Sequence, residues 1–134
     1  MLDVGLLSAI HKLPAETLIT GNDIFVTYKG ALTEQYFFQQ IRDTVDFIYY
    51  WSADNSRGEI DFIVQKDGKV MPIEVKAEEN LRAKSLAAFV AKCPGLHALR
   101  FSMSNYREQG WMTNVPLYAA ATYFNKPVQE QPHK

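Results

Sequence analysis

The sequence predicts a single α/β domain. Three observations carry that prediction: a helical apolar stripe across residues 30–45, two alternating segments joined by Asp67-Gly68, and a second helical pattern followed by another strand-like run. At 134 residues the chain has the usual size for one domain with one core. Its 47% hydrophobic and 13% aromatic content excludes a disordered chain, which lacks material to bury. The balance of 14 basic against 15 acidic residues gives a net charge of -1. That total lacks the broadly basic signature of many nucleic-acid binders, although a local patch fits inside a neutral sum. One cysteine, Cys93, rules out an intrachain disulfide and fits a reducing compartment. No apolar run approaches the roughly 20 residues a membrane span needs. The N-terminus lacks the basic start and long apolar stretch of a signal peptide. The expectation is a cytoplasmic protein with no membrane partner.

Taken in order, residues 4–13 place Leu6, Leu7, Ile10 and Leu13 at helical spacing, and Pro14 suits the first turn of a short helix over 15–19. Gly21-Asn22-Asp23 reads as a turn. The next helix is expected over 30–45, where Leu32, Tyr36, Phe37, Ile41 and Val45 form its apolar stripe. Residues 47–51 are short, apolar and aromatic, as in a largely buried strand. A polar loop over 53–58 follows, then alternating strands at 59–64 and 69–76 around Lys66-Asp67-Gly68, a strong hairpin signal. Residues 82–93 are helical, with Pro94-Gly95 as the stop, and 96–103 form a fourth strand. Residues 115–124 are apolar and fit either strand or helix, and the polar, proline-containing stretch 125–134 is expected to be a flexible tail beyond a domain of residues 1–124.

The hairpin fixes a register. With Asp67 and Gly68 as the two central turn residues, Phe62 faces Ile73 and Val64 faces Met71, and Ile60 facing Val75 completes one apolar face. The other face pairs Glu59 with Lys76 and Asp61 with Glu74. Opposed Cβ atoms stand about 5 Å apart, so two like charges there are destabilising unless something compensates them. A divalent cation does so, because carboxylate oxygens are the natural ligands of magnesium, manganese and calcium. Lys76 follows Glu74 by two residues and shares its face. A one-residue slip, for which Pro72 is a candidate cause, separates the two acids. Glu34 is a third acid, three residues before Phe37 and seven before Ile41, and so points toward the apolar stripe of its helix.

At Gly58-Glu59-Ile60-Asp61-Phe62 and Pro72-Ile73-Glu74-Val75-Lys76-Ala77 the sequence resembles the PD-(D/E)xK nuclease superfamily. It is more closely similar to one branch, through Leu2-Asp3-Val4-Gly5-Leu6-Leu7, Gly30-Ala31-Leu32-Thr33-Glu34, Tyr49-Tyr50-Trp51 and Lys84-Ser85-Leu86 in that order. That branch is the C-terminal domain of unknown function, family 4143, of bacterial and archaeal AAA-type ATPases. The resemblance implies a restriction-endonuclease-like core, a mixed sheet of about four to five strands flanked by helices. It implies Asp61 and Glu74 as metal ligands, Lys76 as catalytic lysine and Glu34 as the helix-borne acid completing a magnesium or manganese site. DNA is the implied substrate and an ATPase domain or subunit the implied partner. Ile60 stands where the motif's name has proline. The chain holds no Gly-rich, lysine-ending phosphate loop, so it carries no ATP site of that kind, and it is read as the C-terminal part of a larger ATPase architecture.

Each residue also has a plainer reading. Asp61 and Glu74 fit a solvated polar sheet face, Lys76 a surface ion pair with Glu59, and Glu34 an early-turn acid favoured by the helix dipole. Arg82, Lys84 and Lys92 suit either a solvated helix face or a phosphate-tracking patch. Two functions compete on these terms: a metal-dependent nuclease, or an inactive module of the same fold that binds protein or nucleic acid for an ATPase.

Overall fold

Asp67 and Gly68 both adopt positive φ, 50° and 75°, the conformation that a two-residue hairpin turn requires and that glycine adopts at no steric cost. Around them the strands β2 (Glu59–Lys66) and β3 (Lys69–Val75) pair antiparallel in the expected register, with Phe62 opposite Ile73, Val64 opposite Met71 and Lys66 opposite Lys69. The computed structural model describes residues 23–52, 58–77 and 83–126. The helices expected over 4–13 and 15–19, the loop at 53–57, Arg82 and the tail from 127 lie outside the described residues.

Helix α1 (Asp23–Ile41) comes first, followed by β1 (Phe47–Ser52) and the β2–β3 hairpin. Helix α2 (Lys84–Lys92) then leads to β4 (Ala98–Ser102). Strands β5 (Arg107–Gln109) and β6 (Met112–Pro116), a 3₁₀ turn (Leu117–Ala119) and α3 (Ala120–Asn125) complete the described chain. The six strands form one mixed sheet in the order β1-β2-β3-β4-β6-β5. β1, β2 and β3 are successively antiparallel, β4 runs parallel to both β3 and β6, and β5 closes the far edge antiparallel to β6. The parallel step from β3 to β4 needs a crossover, and α2 supplies it.

Helices cover both faces. Phe37 and Ile41 of α1 are fully buried against Phe62, Val64, Ile73, Leu99 and Phe101, joined by Ala120 and Phe124 of α3. The Phe37 ring lies 5.2 Å from Phe62 and 4.6 Å from Phe101, centroid to centroid. A smaller core on the other face holds Leu86 of α2 with Ile60, Ala98 and Met112. There Trp51 meets Phe89 edge-on at 5.1 Å.

Several expectations need correction. β1 is not largely buried, because as an edge strand it leaves Phe47, Tyr49 and Tyr50 exposed. α1 begins at Asp23, where the sequence suggests a turn, so Gly30 lies inside the helix rather than at its start. It ends at Ile41 rather than Val45, because the Thr44 backbone N–H and hydroxyl both donate to the Ile41 carbonyl at 2.8 Å and turn the chain toward β1. The sheet has six strands, since the segment before residue 115 forms β5 and β6, and residues 115–124 divide among the end of β6, the 3₁₀ turn and α3. Lastly, Ile60 does not share a face with Phe62 and Val64. Between the pairs Tyr49–Ile63 and Trp51–Ile60 the β1–β2 register shifts, leaving Asp61 and Phe62 opposite Tyr50 alone. This bulge turns Ile60 into the α2-side core while Phe62 stays beneath α1.

Candidate metal centre

The same bulge presents Asp61. Past Phe62–Ile73 the β2–β3 ladder has no further pair. Lys76 N–H donates to the Phe101 carbonyl on β4 at 2.9 Å. Alternation along a strand then turns the Val75 N–H toward β2, where it donates to Asp61 Oδ2 at 2.7 Å. A side-chain carboxylate thus replaces a backbone carbonyl, and Asp61 sits in the gap where β2 and β3 part. The expected direct opposition of Asp61 and Glu74 becomes this wedge, with the two acids still close enough to feel each other's charge.

Burial dominates the electrostatics of Asp61 and pushes its carboxyl up to about 6, with the Glu74 and Glu59 charges in the same direction and the Val75 hydrogen bond and Lys76 opposing. Glu34, on the second half of α1, is raised to about 7, first by burial, then by Asp61 and Glu59, with Lys76 again opposing. Glu34, Asp61 and Glu59 line one cavity of about 190 Å³ with Tyr50, Trp51 and Ile60. α1 therefore carries Glu34 to Asp61, as its position relative to Phe37 and Ile41 anticipates.

Glu74 and Lys76 sit beside this cavity rather than in its lining. Ile73 and Val75 enter the α1-side core, so period two turns Glu74 the other way. Its Oε1 accepts from Lys76 Nζ at 3.2 Å, which makes Glu74, and not Glu59, the ion-pair partner of the lysine. The other oxygen, Oε2, is buried and receives no hydrogen bond. Arg100 of β4 stands opposite Glu74 in the parallel ladder and interacts with its charge. This buried arginine donates through Nε to Asn114 Oδ1 at 2.9 Å. Ser102 donates to the same oxygen at 2.7 Å, and Asn114 Nδ2 donates to the Ser104 and Asn105 carbonyls.

The structure therefore gathers Glu34 and Asp61 around one cavity, joins Glu74 to Lys76, and links the pairs through the Asp61–Val75 bond. Among the described residues, no three His, Cys, Asp or Glu side chains already form a metal-ligand set. Lys84 and Lys92 lie at opposite ends of α2, exposed and outside the cavity lining. The sequence names Tyr50 only within the Tyr49-Tyr50-Trp51 motif, with no role for it, and does not single out Arg100 or Asn114. An arginine inside the apolar run of β4 is the one local signal available, since a buried charge needs a partner.

No helix among the described residues is long and apolar enough to cross a membrane. Comparison with curated proteins returns no match. One family model does match, over residues 29–119, which is more than half of the chain and includes Glu34, Asp61, Glu74 and Lys76. The chain belongs to the family described as Domain of unknown function (DUF4143).

Proposed function

We propose that this domain is a metal-dependent nuclease of the PD-(D/E)xK type, acting on DNA phosphodiester bonds through Asp61, Glu74 and Lys76. The observation that carries the reading is the Glu74 carboxylate: one oxygen is held by Lys76 and the other is buried without a hydrogen bond. A buried, unsatisfied carboxylate oxygen is costly, and a hard divalent cation is a natural partner for it. Two further features support the reading. Asp61 and Glu34 are carboxyls raised by desolvation next to a lysine, the perturbed groups expected where chemistry is done. The run α1-β1-β2-β3-α2-β4, with acids on β2 and β3, fits a restriction-endonuclease-like core.

Asp61 and Glu74 are the residues to hold magnesium or manganese, with Glu34 as a third acid, directly or through water. When bound, the metal would lower the pKa of a coordinated water and draw charge from a phosphoryl oxygen. Lys76, only partly exposed and fixed by Glu74, would donate from Nζ to the attacking water or to the oxygens gaining charge. The bond from Val75 N–H would hold Asp61 in one orientation and leave Oδ1 for a ligand. Purified protein, a mixed panel of DNA substrates and Mn²⁺ test this. Cleavage is expected with metal only and is lost in Asp61→Ala and Lys76→Ala. Equal cleavage by both variants would assign the activity elsewhere.

A second reading has its own observation. Arg100 and Lys76 flank Glu74, two cations that neutralise it without any metal. On that reading the domain is an inactive nuclease-fold module that binds protein or nucleic acid for an AAA-type ATPase. It predicts no cleavage in any metal and no loss of binding in Glu74→Gln.

A further inference from the structure

We infer that Tyr50 is a stacking platform for a nucleobase, so that the nucleic acid taken by this site is single-stranded. The inference rests on the nuclease reading of the same cavity and adds the class of substrate to it. Tyr50 lies on β1, an edge strand, and is 69% exposed although it is a large aromatic side chain. It is not loose: its ring rests 5.3 Å from the buried ring of Phe62, which fixes one side and leaves the remainder open. The register shift that places Asp61 and Phe62 opposite Tyr50 sets the ring and the acid side by side, and both line the cavity with Glu34 and Trp51.

Charge then selects the ligand form. Glu34, Glu59 and Asp61 make the cavity acidic, with Lys76 the cation that acts on Glu34 and Asp61. Duplex DNA carries about twice the phosphate charge per length of a single strand, so it meets the greater repulsion at this acidic mouth and over a chain of net charge -1. Stacking on an aromatic face works with any unpaired base and is closed to a base held in a duplex. An anchored, exposed tyrosine beside the carboxylates therefore favours an unstacked base over a paired one.

Trp51 and Trp111 are the only tryptophans, so Trp111→Phe makes Trp51 a sole reporter inside the cavity. In that background the full chain is titrated with a 12-nucleotide oligo(dT), the matching oligo(U) and a 12-base-pair duplex, with Ca²⁺ in place of Mn²⁺. Oligo(dT) is expected to quench Trp51 and to bind more tightly than duplex. Tyr50→Leu, which keeps apolar bulk at β1, should weaken that binding by about fivefold or more, the loss of one stacked base, whereas Tyr50→Phe retains it. Similar behaviour of oligo(U) would widen the substrate to single strands of either sugar, and its exclusion would restrict it to DNA. No binding of oligo(dT), equal binding by Tyr50→Leu, or tighter binding of duplex would overturn the stacking role. Failure of the nuclease reading looks different: Tyr50-dependent binding would persist with no cleavage in Mn²⁺.

Discussion

Replacing Asp61 by asparagine should stabilise the protein at alkaline pH. The amide side chain would keep an oxygen to accept the Val75 N–H but remove a charge that the fold desolvates. The Asp61 carboxyl stands at about 6, against an ordinary 3.8. Its protonated form is therefore the one the native state prefers. That preference stabilises the fold fully below about pH 4 and is lost as pH rises through 6. At 1.36 kcal/mol per unit, the shift corresponds to about 3 kcal/mol at pH 8, and partial solvation of the site reduces this to about 1–2 kcal/mol. Urea unfolding followed by circular dichroism at pH 4, 6 and 8 measures it. The variant should match the wild type at pH 4 and exceed it by that margin at pH 8. A variant less stable than wild type at pH 8 would show that Lys76 and the Val75 bond more than offset the desolvation, and the view of Asp61 as a strained, function-bearing acid would be wrong.

Other outcomes follow from the same geometry. Glu34→Gln should also raise stability above pH 7, by less than Asp61→Asn because Glu34 is more solvated, with the gain appearing between pH 4.5 and 7; urea midpoints across that range check it. Ile60→Ala should lower stability by about 2–4 kcal/mol, since the bulge buries it in the α2-side core to 2% exposure. A solvent-facing Ile60 would give almost no change. Arg100→Ala should cost about 1.5–3 kcal/mol by removing the buried, charged donor to Asn114 Oδ1, and adding Glu74→Gln should recover part of that loss if the two charges act on each other. A double-mutant cycle that is purely additive would separate the two residues.

Much of this arrangement is legible in the sequence where the signal is local. Asp67-Gly68 between alternating runs fixes the hairpin and its register from Phe62–Ile73 to the turn, because positive φ at both turn positions is what that dipeptide tolerates. The position of Glu34 relative to Phe37 and Ile41 places it toward the sheet by helical periodicity. The bulge is not legible: Ile60, Phe62 and Val64 alternate without interruption, and the break arises in pairing with β1. Strands β5 and β6 escape a sequence reading because Arg107-Glu108-Gln109 and Thr113-Asn114 carry no apolar alternation. The burial of β6, like the Arg100–Asn114–Ser102 network, depends on neighbours distant in sequence. Glu74 loses its expected face partner Asp61 for a related reason, since the wedge at Val75 is a contact between strands that no residue pattern announces.

Binding of Mn²⁺ tests the metal centre most directly, independent of any substrate, and electron paramagnetic resonance counts the bound ion. At pH 8 the wild-type chain should take up one Mn²⁺ saturably, and Asp61→Asn and Glu74→Gln should each weaken that uptake by about tenfold or more. Uptake that is absent at millimolar Mn²⁺, or unchanged in Glu74→Gln, would contradict the assignment of the buried Glu74 oxygen to a cation.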